Sequence, residues 1–137
     1  MAKAGVRLFV SFEYDQDLQN ARNFVTQARG RGYARPILDN SLNEERRSQD
    51  SAWMKKARHL IRGSDIVVII LGPDTHNAPG VAKEIQVAVE LNKKIIQIRP
   101  QGSTYSGHPN LKSQVLVWRW KNLDPVLQPI PTTRQHR

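Results

Sequence analysis

A chain of 137 residues, 39% hydrophobic and 24% charged, has the make-up of one globular domain: it is too short for two ordinary cores and too apolar for a disordered segment. The absence of cysteine excludes a disulfide framework, a thiolate metal site and a cysteine nucleophile, and suits a reducing compartment, so the cytoplasm is the expected location. A formal charge of +9 attracts phosphate-bearing molecules, although solvated lysines and arginines account for most of it equally well.

In chain order, Val6 to Phe12 is rich in β-branched and aromatic residues and reads as a first strand. Leu18, Ala21, Val25 and Ala28 then recur at helical spacing, and Gly30-Arg31-Gly32 supplies a stop. Pro36-Ile37-Leu38 is a short strand, followed by a loop at Asp39-Asn40-Ser41 able to cap the next helix. A polar stretch from Asn43 leads into Trp53, Ala57, Leu60 and Ile61 on one helical face, closed by Gly63-Ser64. Ile66 to Leu71 is an unbroken aliphatic run, which predicts a strand buried on both faces. That run falls far short of the roughly 20 residues of a membrane helix, and no signal-peptide core stands at the N-terminus.

Gly72 to Pro79 is turn-rich, and Val81, Ile85 and Ala88 place a helix over Gly80 to about Leu91. Lys94 to Ile98 makes a fourth strand, Gln101 to Asn110 a long loop, and Val115 to Trp120 a last strand. Residues 1–124 thus form one domain, with 125–137 a proline-containing basic tail expected to fray. The alternation of strands and helices predicts an α/β, flavodoxin-like, doubly wound and mostly parallel sheet of about five strands. Ligands of such sheets gather at the carboxyl ends of the strands, which directs attention to the loops 13–17, 39–43 and 72–80.

No P-loop, complete GxGxxG, HExxH or GxSxG occurs, and the four histidines are too scattered for a local metal motif, so no metal is expected. Glu84 stands out near the start of a helix that follows the buried strand. A ligand site suits that position, but acidic residues are common in first helical turns for dipole reasons, and on the residues alone that explanation is the stronger. His76 and Asn77 either touch a nucleotide or satisfy their own turn. Phe9 and Phe12 either stack on a ring or pack the core. Trp118-Arg119-Trp120 fits a nucleic-acid grip or a plain amphipathic strand.

Phe9-Val10-Ser11-Phe12-Glu13-Tyr14-Asp15, Asp39-Asn40-Ser41-Leu42, Ser64 to Gly72, Thr75-His76, Gly80 to Ile85 and Lys94 to Ile98, in this order and spacing, resemble the ThsB-type TIR-like family of the bacterial Thoeris antiphage system. The resemblance runs nearly end to end. It implies an enzyme that cleaves NAD at the nicotinamide-ribose bond and cyclises it to a cyclic ADP-ribose isomer, a diffusible messenger that activates a separate effector protein. NAD is then the substrate, with no cofactor. Glu84 matches the family's catalytic glutamate, and Phe9 matches an aromatic lining its pocket. Ser11, Phe12, Tyr14, Asp39, Ser41 and His76 complete the expected substrate-binding set. The resemblance also implies a homo-oligomer with a composite active site. In one respect the chain departs from the pattern: Gly80 to Lys83 are small or basic, where many TIR domains carry a tryptophan or another large apolar residue. The competing expectations are a non-catalytic signalling adaptor and, less favoured, a basic nucleic-acid-binding module.

Overall fold

The computed structural model describes residues 5–38 and 51–128. Its elements are β1 (Arg7–Ser11), α1 (Tyr14–Gly30), β2 (Ala34–Leu38), α2 (Ser51–Arg62), β3 (Ile66–Ile70), a 3₁₀ turn (Thr75–Asn77), α3 (Pro79–Glu90), β4 (Lys94–Arg99), β5 (Val115–Val117) and α4 (Trp120–Leu123). The five strands lie in the order β2-β1-β3-β4-β5, and every neighbouring pair is parallel. This is the doubly wound α/β architecture expected from the sequence, with an all-parallel sheet among the described residues.

The aliphatic run explains the centre of the sheet. All five residues of β3 are buried, as a strand covered on both faces requires. Strand alternation then divides the core in two. Leu8, Val10, Phe12, Ile66, Val68 and Ile70 face Ala21, Phe24 and Ala28 of α1. Phe9, Val67, Ile69 and Leu71 face Ile61 of α2 and Val81, Ile85 and Ala88 of α3. Each of the Val, Leu, Ile and Phe side chains contributes about 1.5–3 kcal/mol on full burial, so the two layers together drive the fold.

Helix ends follow local chemistry. The backbone N–H of Arg31 closes α1 on the carbonyls of Gln27 and Ala28, and Gly32 adopts a φ of +94° that a side chain would resist. Pro79 opens α3, where its missing N–H removes no intrahelical bond. Among the described residues no helix is long and apolar enough to cross a membrane.

The expected last strand is shorter than its sequence pattern suggested. β5 ends at Val117, and Trp120 opens a helical turn instead of extending the strand. The turn wins because it sends Leu123 and Leu127 into the core, both fully buried. It also places Asp124 against the Arg31 guanidinium and the Tyr33 hydroxyl, the latter at 2.6 Å. Trp118 and Trp120 pack on Phe24 with ring centroids 5.7 and 5.2 Å away, and both indole N–H groups donate to Oε1 of Gln27. The aromatic and basic pattern at Trp118-Arg119-Trp120 is therefore chiefly a docking of the C-terminal segment onto α1.

Candidate active site

The contact that organises the carboxyl edge joins two residues 73 positions apart: Ser11, at the end of β1, donates its hydroxyl to Glu84 Oε1 over 2.6 Å. Both are buried, Ser11 completely and Glu84 to 1% exposure. Glu84 is the sixth residue of α3, whose first turn holds no acidic residue. The helix-dipole explanation therefore gives way: this carboxylate turns inward onto the sheet and is bound by a hydroxyl from the adjacent strand. Burying a carboxylate is costly unless hydrogen bonds hold it, so the Ser11 donor is part of what lets Glu84 stay here.

The structure places the other sequence candidates at varied distances from this pair. Phe9 is fully buried among Val67, Ile69 and the α3 residues, on the same sheet face as Glu84. Phe12 belongs to the opposite layer and stacks on Tyr14 at 6.2 Å between centroids. Asp39 and Ser41 lie outside the described residues. His76 is exposed in the 3₁₀ turn and lines a separate cavity. Glu84 borders neither that cavity nor the clefts beside Trp118, Pro36 and Val89.

A second buried carboxylate was not singled out in the sequence. Asp17 is 3% exposed on α1, close to the end of β3. A Cβ on Gly72 would overlap both of its carboxylate oxygens, so only glycine lets the carboxyl lie on the backbone there. Its Oδ2 has no hydrogen-bond partner among the described residues. Burial, followed by the nearby charges of Glu13 and Asp74, pushes its pKa up to about 6. Glu13 itself caps α1, accepting from the backbone N–H groups of Asp15 at 3.1 Å and Gln16 at 2.9 Å.

Beyond β3, Gln97 fixes the loop that follows β4. This buried amide accepts from the His108 backbone N–H at 2.7 Å and donates to the Ser113 carbonyl at 3.0 Å. A Cβ on Gly107 would meet both amide atoms of Gln97 at 3.0 Å, so the loop lies directly on that side chain. His108 is consequently held inside at 3% exposure, with its pKa lowered by burial and by His76 nearby. A lone amide within Ile95-Ile96-Gln97-Ile98 was the sequence signal for this anchor, since a buried polar side chain needs partners. Among the described residues no group of three or more His, Cys, Asp or Glu is placed to hold a metal ion.

Comparison with known proteins gives one family: Thoeris protein ThsB, TIR-like domain, which matches residues 9–105. The matched span takes in Ser11 and Glu84 and ends at Tyr105, before His108 and β5. No curated protein matches the chain.

Proposed function

This chain belongs to the Thoeris ThsB TIR-like family, and from that premise we propose that it is the NAD-processing component of an antiphage defence system. In this reading the nicotinamide-ribose bond of NAD breaks, and its electron pair leaves with neutral nicotinamide. The positive charge left on the ribose carbon is stabilised by the Glu84 carboxylate. A nucleophilic atom of the same molecule then bonds to that carbon, closing a cyclic ADP-ribose isomer. Where the nucleophile carries a proton, Glu84 is the base assigned to accept it. The messenger activates a separate effector protein.

The observation that carries this reading is the buried Ser11–Glu84 hydrogen bond of 2.6 Å. A hydroxyl donor fixes the carboxylate at the end of β1, beside the point where the order β2-β1-β3 reverses the direction of winding, the usual place for a ligand in such a sheet. The acidic cluster of Glu13, Asp17 and Asp74 lies toward α1, so the diphosphate belongs on the α3 side of the edge. At 1% exposure Glu84 needs a rearrangement of its surroundings to meet substrate, and self-association into a composite site supplies one.

The test is mass spectrometry of NAD incubated with wild-type and Glu84→Gln protein over a range of protein concentrations. Release of nicotinamide with a cyclic ADP-ribose isomer, rising more steeply than protein concentration and lost in the variant, is the expected result. Burial of Glu84 away from those clefts also favours a second reading, a non-catalytic adaptor in which the Ser11–Glu84 bond only joins α3 to the sheet. No product from NAD at any concentration decides for the adaptor.

A further inference from the structure

A cleft of about 450 Å³ lies beside Trp118, lined by Asn20, Asn23 and Gln27 from α1 and by Gln101, Arg119 and Lys121 from the segments that follow β4 and β5, among others. Neither Ser11 nor Glu84 borders it. The packing of Trp118 and Trp120 on Phe24 explains the two indoles. It does not explain the cation between them. Arg119 is exposed, as is Lys121, and neither makes an ion pair or a side-chain hydrogen bond among the described residues.

The polarity of the walls narrows the occupant. No Asp or Glu lines the cleft. Asn20, Asn23 and Gln27 recur every three or four residues and so form one stripe along α1. At Gln27 the amide is oriented by its partners. An indole N–H can only donate, and both indoles donate to Oε1, at 3.2 and 2.7 Å, so what this exposed side chain has left for a ligand is its NH₂. Gln101 uses its own NH₂ on the Trp118 carbonyl at 3.0 Å and holds the segment after β4 to the one after β5. The cleft thus offers two cations and an amide donor with no carboxylate to compete for them, which suits a ligand rich in anionic oxygens.

Both indoles also contribute surface to the cleft. Bases of any sequence pack on aromatic surface, which the carboxylate side chains of an acidic peptide do not. We propose that this cleft binds single-stranded nucleic acid, with Arg119 and Lys121 on its phosphates, the Gln27 amide on a phosphate or base oxygen, and unpaired bases against Trp118 and Trp120. The formal charge of +9 assists by drawing a polyanion toward the chain from a distance. The family match ends at Tyr105, so Trp118, Arg119 and Lys121 fall outside the matched span. The site is independent of the reaction assigned to Glu84.

The experiment is fluorescence anisotropy of labelled oligouridylate and oligothymidylate of about ten residues, a length within the site sizes of such grooves, titrated with the wild-type chain over a range of salt. Saturable binding is expected, and the oligomer bound more tightly identifies RNA or DNA as the source. Arg119→Ala/Lys121→Ala should weaken binding at least about tenfold and reduce the slope of log affinity against log salt by about 1.4, two single-strand phosphate contacts at about 0.7 each. Gln27→Glu keeps an oxygen for both indoles but sets a carboxylate on the cleft wall, and should weaken binding by about tenfold or more. Lys55→Ala/Arg62→Ala removes the same charge from exposed positions of α2, outside the cleft, and should bind as wild type. So should Glu84→Gln, whether or not NAD is turned over. Folding of each variant is checked by circular dichroism. The proposal is overturned if neither oligomer binds, if the α2 variant loses as much as the cleft variant, if polyglutamate binds as tightly, or if excess NAD displaces the oligomer.

Discussion

Two buried carboxylates stand at the same edge of the sheet, on opposite faces, and the protein holds them in different ways. On the α3 face, Glu84 is 1% exposed and receives the Ser11 hydroxyl at 2.6 Å. On the α1 face, Asp17 is 3% exposed, lies on Gly72, leaves Oδ2 without a partner among the described residues and has Glu13 and Asp74 nearby. Their burial is alike, and what differs is the set of groups around each carboxylate. Glu84 receives a hydroxyl donor, whereas burial, followed by the like charges of Glu13 and Asp74, makes Asp17 a group that holds its proton up to about pH 6.

The largest expected effect separates the two directly. Glu84→Gln should reduce NAD turnover by about a hundredfold or more, the scale on which a lost charge-stabilising group is felt. Asp17→Asn should leave turnover within about threefold, since a single misfit outside the reacting centre is weakly coupled to it. Equal losses, measured by nicotinamide release, would break the comparison. Next comes Gly72→Ala, whose new methyl overlaps the Asp17 carboxyl and should lower stability by about 2 kcal/mol in urea unfolding. In an Asp17→Ala background the same change should cost less than half as much, because the obstructing group is gone. Ser11→Ala removes one donor to Glu84 and should destabilise by about 1–2 kcal/mol in the same assay.

The smallest effect concerns pH. Asp17 binds its proton more tightly when folded, with a pKa near 6 against 3.8 for the free group. Its contribution is therefore fully present below pH 3.8 and is lost as pH rises toward 6. His108 acts in the opposite sense: its lowered pKa means that stability falls as pH drops below 6.5. Subtracting the profile of Asp17→Asn from that of the wild type cancels the His108 part. The difference should show the variant gaining about 1 kcal/mol between pH 4 and 7, the full shift reduced for solvent screening. A flat difference would show that Asp17 does not take up a proton in that range.

The sheet was legible because its signals are local. The Ile66-Val67-Val68-Ile69-Ile70 run and the helical spacing of Val81, Ile85 and Ala88 need no knowledge of distant residues. Glu84 was legible as a candidate, but its inward orientation depends on Ser11, 73 positions away. Asp17 looks like any acidic residue in a first helical turn until Gly72 is brought beneath it by the β1–β3 pairing. His108 sits in a loop whose composition reads as solvent-exposed, and only Gln97 reveals that it is drawn inside. The strand expected through Trp120 failed for a related reason: the competing helical pattern of Trp120, Leu123 and Leu127 has meaning only once Phe24 and Tyr33 are there to receive it.

That last contact has a consequence for biosynthesis. Trp118, Trp120, Asp124 and Leu127 complete the layer begun by Phe24, Arg31 and Tyr33, across sequence separations of 91 to 93 residues in their hydrogen bonds. A nascent chain that has not yet exposed Leu127 outside the ribosome presents α1 with one flank of its aromatic surface uncovered. Closure of this layer must therefore follow translation of the helical turn at Trp120–Leu123 and of Leu127, and until then that flank of the growing polypeptide stays open to wrong partners.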